Sequence, residues 1–223
     1  MTKLPRTGGQ GADRAASAHD AIAYWNHNVH YHPLVLHAVP PRCGSALDIG
    51  CGEGLLAREL AERVPAVTGV DVSGEMIRLA RERGTRVRNA TFAEADFLDD
   101  AHGLLGEGKY DFVSAVAVVH HVEFSSAVQA MIRLLAPGGR LVIVGLARER
   151  TPLDWIVSGA GVPAARLNAR RHGGKTDPAG MPVRMPAMTW AQVRREAKRL
   201  LPGCSFRRHL LWRYSLAWDK PAG

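Results

Sequence analysis

Ser45-Ala46-Leu47-Asp48-Ile49-Gly50-Cys51-Gly52-Glu53-Gly54 is the stretch whose reading decides the fold. An apolar run ends in an acid, and three glycines then take alternate positions. Leu55-Leu56-Ala57-Arg58-Glu59-Leu60-Ala61 follows at once with a helical composition. A strand, a tight glycine turn and a helix bring backbone close to a ligand and aim free helix N–H groups at it. Any Cβ in the turn would block that approach. The layout is that of a nucleotide-type site.

Spacing narrows the nucleotide. The dinucleotide fingerprint places its last glycine three positions after the second, whereas Gly50, Gly52 and Gly54 read G-x-G-x-G. No Lys follows the glycines, so the phosphate-cradling P-loop is absent as well. Val67-Thr68-Gly69-Val70-Asp71 is a second apolar run ending in an acid, 23 residues after Asp48. A carboxylate at the tip of a second strand accepts both hydroxyls of an adenosine ribose. Ala93-Glu94-Ala95-Asp96-Phe97 adds a further acid and an aromatic where an adenine would be held.

These segments resemble the class I S-adenosylmethionine-dependent methyltransferases, nearest to the small-molecule group that includes ubiquinone/menaquinone-type enzymes. The resemblance runs through Asp48 to Gly54, Val70 to Met76 and Ala95 to Phe97, then Tyr110 to Ser114 leading to His120-His121, and Leu134 to Leu141. It covers about residues 44 to 146 motif by motif and the C-terminal end more loosely. It implies a Rossmann-like α/β fold, with a seven-stranded, mostly parallel sheet of order 3-2-1-4-5-7-6, helices on both faces and an N-terminal helical cap. It further implies binding of S-adenosyl-L-methionine, with S-adenosyl-L-homocysteine as product, by Asp48, Gly50, Cys51, Gly52, Asp71, Val72, Met76, Asp96, Phe97 and Ala115.

The coarse pattern agrees with that architecture. Strands are expected near 45–49, 66–71, 87–92, 111–117 and 139–146, with helices near 54–63, 74–83 and 124–136. Such alternation implies a parallel sheet covered on both faces. Ligands then belong at the carboxyl ends of the strands, where Gly50, Asp71, Asp96 and His120 all fall. Thr189 caps an expected helix that Pro202-Gly203 ends, and 206–218 reads as a hairpin.

With 223 residues and 46% hydrophobic content the chain reads as one folded domain rather than a disordered protein. Its expected parts are a mobile tail to residue 18, a helical cap over 19–41, a cofactor core over 42–148, an irregular lid over 149–188, and a helix with hairpin from 189. In the lid, Gly159, Gly161 and Pro163 argue for irregular chain, 153–157 for one short helix, and Trp155, Met181, Met185 and Met188 for an apolar wall. Cys43, Cys51 and Cys204 are odd in number and far apart, as in a reducing compartment. No run approaches ~20 apolar residues and no secretory signal is evident, so a bacterial-type cytoplasmic enzyme with no membrane partner is expected, as monomer or homodimer.

The net charge of +8 raises the question of nucleic acid. From residue 151 onward there are 13 Lys or Arg against 4 Asp or Glu, and before it 16 against 17, so the excess belongs wholly to the C-terminal third. Much of it lies on 190–200, where a solvated helix face is the ordinary explanation. Enzymes that methylate base amines carry [DN]-P-P-[YF] after the fourth strand, and Val118-Val119-His120-His121 stands here instead. The segment argues against methylation of nucleic-acid amines, and a small-molecule acceptor is expected.

Histidine titrates near neutrality, so His120, His121 or His30 would serve as a base towards a phenol or thiol. His27, His30 and His32 also raise a metal, which ranks last because no Cys or acid within the segment completes a ligand set. Tyr24, His27, Tyr31, Trp155, Trp212 and Arg213 are the expected acceptor contacts. The reading is methyl transfer to oxygen or sulfur of a small molecule. Its alternatives are an RNA methyltransferase using the basic third and an S-adenosylmethionine-binding protein without catalysis.

Overall fold

The computed structural model describes residues 24–99, 103–176 and 185–222. Seven strands form one sheet: β1 (Ser45–Ile49), β2 (Ala66–Asp71), β3 (Ala90–Glu94), β4 (Tyr110–Val116), β5 (Leu135–Gly145), β6 (Ser205–His209) and β7 (Arg213–Asp219). Their order is β3-β2-β1-β4-β5-β7-β6, as the resemblance implies. The first five are parallel and β7 runs antiparallel to both β5 and β6. The helices are α1 (His32–His37), α2 (Leu55–Ala61), α3 (Gly74–Arg83), α4 (Phe124–Leu134), α5 (Pro152–Arg171) and α6 (Trp190–Leu200).

Strand alternation divides the core into two layers. Leu47, Ile49, Val113 and Ile143 face α4 and α6, meeting Val128, Met131, Val193 and Ala197. Ala46, Val67, Phe112 and Val142 face the opposite way, against Val35, Leu56, Leu60 and Ile77 of α1, α2 and α3. Each such large side chain contributes about 1.5–3 kcal/mol through burial. The basic helix α6 buries Trp190, Val193 and Ala197 and turns Arg194, Arg195, Lys198 and Arg199 to solvent.

Expected element bounds need correction. The third strand begins at Ala90, later than expected, because the Asn89 side chain donates to the Ala61 and Val64 carbonyls and so ends the preceding loop. Residues 24–28 are not helical. Asn26 Oδ1 accepts the Asn28 and Val29 N–H groups, both at 2.9 Å, which diverts the backbone from a helical ladder. Pro33 stands at the opening of α1, where the first turn needs no N–H. The expected tail to residue 18 and the chain from 19 to 23 lie outside the described residues.

The largest correction is α5, a 20-residue helix where irregular chain is expected. Thr151 and Asp154 form a reciprocal capping box at its start. Arg208 of β6 donates to Asp154 Oδ1 at 2.6 Å and stacks on Trp190. Gly161 is a packing device rather than a breaker: a Cβ there would sit 2.2 Å from the Leu210 carbonyl oxygen. Met188 packs against the core, whereas Met185 and Trp155 are 76% and 65% exposed, and Met181 lies outside the described residues.

Thr151→Ala is expected to cost about 1 kcal/mol through the lost cap. Asp154→Ala is expected to cost about 2 kcal/mol or more, because it also strips Arg208 of its carboxylate. Hydrogen exchange checks both: protection should fall first over 152–171, while β1 and β4 stay protected.

Candidate functional site

At the carboxyl ends of β1, β2 and β4 lies a cavity of about 370 Å³. Its floor is the glycine turn. The Cys51 N–H donates to the Val70 carbonyl at 2.9 Å, and the Gly52 N–H donates to Asp71 Oδ2 at 2.9 Å. Asp71 Oδ1 accepts from the Ser73 N–H, and Ser73 in turn caps α3. One carboxylate therefore ties the turn after β1 to the turn after β2. Gly50 and Gly52 both have positive φ, +66° and +53°. A Cβ on Gly50 would strike Val118 at 2.3 Å, whereas one on Gly52 would meet nothing within 4 Å. Gly52 lines the cavity, so its bare Cα leaves room for a ligand.

Asp48 is the second anchor. It is 2% exposed, lines the cavity and accepts from the Ser114 hydroxyl at 2.8 Å. Burial pushes its carboxyl up to about 7, against a smaller opposing effect of Ser114. A cationic ligand group beside it would draw the proton off. Burial first, then Asp48 and Asp71, raise the Cys51 thiol, which keeps it protonated and argues against a redox role.

Of the ten expected cofactor residues, Asp48, Gly50, Cys51, Gly52, Asp71, Val72, Met76, Asp96 and Phe97 line this cavity. Ala115 does not. Strand alternation turns it into the layer facing α4, and its neighbour Val116 takes the wall position. Val72, Met76 and Phe97 supply an apolar surface suited to a planar ring, with Asp96 beside it.

The expected acceptor and base residues divide. His121 and Tyr24 line the cavity. His120 sits on the same 3₁₀ turn, Val119–His121, with its ring centroid 3.9 Å from that of His121. The described wall does not include His30, whose ring packs edge-on to Trp25 and Tyr31 and is held below the usual range by burial and then by His172. His27 contacts Trp212, and the Tyr31 hydroxyl accepts from the Leu211 N–H. Arg213 is buried and donates to Asn28 Oδ1 from Nε and Nη2, at 3.2 and 2.7 Å. Asn28, not Arg213, reaches the cavity. Trp155 stands on the outer side of α5 and lines nothing here, because the inner side is taken by Asp154, Ser158 and Gly161.

Polar wall residues outside the expected acceptor and cofactor sets include Asn26, Asn28, His32 and Glu53. His32 Nδ1 lies 2.7 Å from Glu59 Oε2. Glu53 is buried and pairs with Arg83, and the Tyr24 phenol is raised by burial and then by the Glu53 carboxylate beside it. An acid inside the glycine turn was the available signal for Glu53. Nothing local marks Asn28 or His32. Among the described residues no group of three or more His, Cys, Asp or Glu is arranged to hold a metal ion. Backbone strain gathers nearby: Ala117, in the cavity wall, and Trp212 are the non-glycine residues at positive φ among those described.

Comparison with known proteins agrees with this geometry. A family model described as "Methyltransferase domain" matches residues 47–143. An uncharacterized methyltransferase of Mycobacterium tuberculosis is 33% identical over 206 residues, covering 88% of this chain and 98% of that protein. A ubiquinone biosynthesis O-methyltransferase of Sodalis glossinidius is 31% identical over 135 residues, 58% of this chain and 53% of its own length. The fold matches a crystal structure of the N-methyltransferase NodS from Bradyrhizobium japonicum, with S-adenosyl-L-homocysteine, at TM-score 0.56 and 19% identity, over 86% of this chain and 87% of that one.

Two outcomes are expected. Asp48→Asn should stabilise the protein at pH 8 by up to about 4 kcal/mol and change it little at pH 4, because an acid raised by folding is stabilising only in its protonated form. Melting temperatures across that range check the sign. Gly50→Ala should destabilise by about 1–3 kcal/mol through strain and overlap with Val118, while Gly52→Ala should leave most stability and lose ligand uptake. Calorimetry beside thermal melts separates the two.

Proposed function

Since this chain belongs to the class I S-adenosylmethionine-dependent methyltransferases, we propose that it transfers the methyl group to an oxygen or sulfur of a small molecule, phenol or thiol in type. When bound, S-adenosyl-L-methionine supplies an already activated methyl on a sulfonium. The residues present fit it. Gly52 leaves the open space that backbone approach requires, Asp71 presents a carboxylate at the tip of β2, and Asp48 is a buried carboxyl that a neighbouring cation would ionise.

The observation that carries the acceptor class is His121, a histidine in the wall of the same cavity. Proton removal helps a phenol or thiol and does little for a nucleophile that is already neutral and basic. We assign His121 as the base and His120 as its positioning neighbour, and place Tyr24 and Asn28 in contact with the acceptor. Arg213 holds Asn28, and Trp212, next to Arg213 in the chain, packs on His27. These residues orient the acceptor and exclude water, which is most of what an in-line displacement asks of a protein. The name of the Sodalis relative favours oxygen, although this chain spans only about half of that protein.

His121→Asn is expected to lower kcat on a catechol or thiophenol acceptor on the order of a hundredfold, with S-adenosyl-L-homocysteine affinity unchanged. His30→Asn should leave kcat within about threefold, consistent with its place outside the wall. Unaltered turnover by His121→Asn, or preferred methylation of an RNA substrate over every small acceptor, would remove this reading.

A further inference from the structure

Helix α5 turns its bulkiest apolar side chains outward and its small ones inward. Its inner side buries Asp154, Ser158 and Gly161, and the small residues Ala164, Ala165 and Ala169 are half-buried against the core. Its outer side carries the bulk: Trp155 is 65% exposed, Ile156 69%, Val162 39% and Leu167 49%. From 152 to 165 the sole charge is Asp154, and that is turned inward to Arg208. The close approach of Gly161 to the Leu210 carbonyl, together with the Asp154–Arg208 pair, fixes this rotation. Leu210 itself is 53% exposed beside it. Contiguous exposed apolar surface of this kind marks an interaction site.

Its charge indicates the occupant. Arg166, Arg170 and Arg171, all exposed, follow directly on the last turn and a half. The acids of this third that the structure describes are engaged elsewhere: Asp154 with Arg208, Glu196 with Arg199 and Asp219 with Arg140. A second copy of the chain would therefore bring more uncompensated arginine to the contact. An anionic surface brings the counter-charge. A Trp- and Ile-bearing face flanked by arginines is the composition of a helix that lies in the plane of a lipid headgroup layer. No helix among the described residues is long and apolar enough to cross a membrane, and a surface helix needs no such length.

We propose that α5 is a docking surface for an anionic lipid bilayer, with Trp155 and Ile156 inserted and Arg166, Arg170 and Arg171 on the headgroups. The same helix ends against the cavity. Past its last turn His172 stacks on Trp25 at 5.4 Å, and the Thr176 N–H donates to the Trp25 carbonyl. Trp25 lies between Tyr24 and Asn26, both in the cavity wall. A bilayer held on α5 is thus one contact removed from the segment that closes the site.

The test is co-sedimentation of the full chain with phosphatidylcholine vesicles, with and without phosphatidylglycerol. Uptake is expected on the anionic vesicles alone and should fall with salt. The triple variant Arg166→Gln, Arg170→Gln, Arg171→Gln should weaken it about a hundredfold. Trp155→Glu with Ile156→Glu should weaken it at least about tenfold at unchanged melting temperature. If that pair unfolds the protein, the arginine variant and the salt series still decide. Absence of uptake, equal uptake by neutral vesicles, or uptake that survives the arginine variant would overturn the proposal. So would a dimer in sedimentation velocity that Trp155→Glu dissociates, with no vesicle binding.

Discussion

A single carboxylate, that of Asp71, accepts the Gly52 N–H on one oxygen and the Ser73 N–H on the other. It therefore sits where the ends of β1 and β2 and the start of α3 must meet. The turn it holds has to pass through left-handed backbone at Gly50 and Gly52, which only glycine adopts without strain. The rest of the core is fitted to that turn. Val118 packs where a Gly50 side chain would be, and the Phe92 ring fills the space left by Gly54, Gly69 and Gly84. These glycines thus serve two ends: one set admits a ligand and the other admits an aromatic ring that braces α2 and α3 against β3.

The opposite wall of the cavity is made from distant chain. The segment 24–28 touches Glu53 through Tyr24, the end of α5 through Trp25 and Asn26, and β7 through Asn28. Three parts of the molecule that the sheet alone would leave independent are joined over the site. Histidines fill this junction: His30 meets Trp25 and Tyr31, and His209 meets Tyr31. Burial lowers both His30 and His209, so the neutral form is the one the packed junction favours.

How much of this the sequence reveals follows from where the information resides. The core from β1 to β5 is legible because its constraints are local: acid, glycines and hydrophobic period recur within a few residues, and the strand order follows from the family resemblance. Nine of the ten positions expected on the cofactor side line one cavity for the same reason, and Ala115 faces the other layer, one step of strand alternation away. Helix α5 was not legible. Gly159, Gly161 and Pro163 are breakers by propensity, and what overrides them is a capping box at one end, a salt bridge from β6 and a close approach to Leu210 that requires glycine. Segment 24–28 differs in the opposite sense: within the expected helical cap, the Asn26 side chain takes the N–H groups that a helix would use. Asn28 and His32 reach the cavity only through tertiary contacts, which no motif records.

The account stands on the glycine turn and the two acids around it gripping an adenosyl ligand. Titration calorimetry of S-adenosyl-L-homocysteine into the folded full-length chain tests this most directly. One equivalent should bind with micromolar affinity or better, and Asp71→Ala should lose on the order of tenfold or more while remaining folded. No heat of binding from the folded wild-type protein, or full affinity in Asp71→Ala, would contradict it.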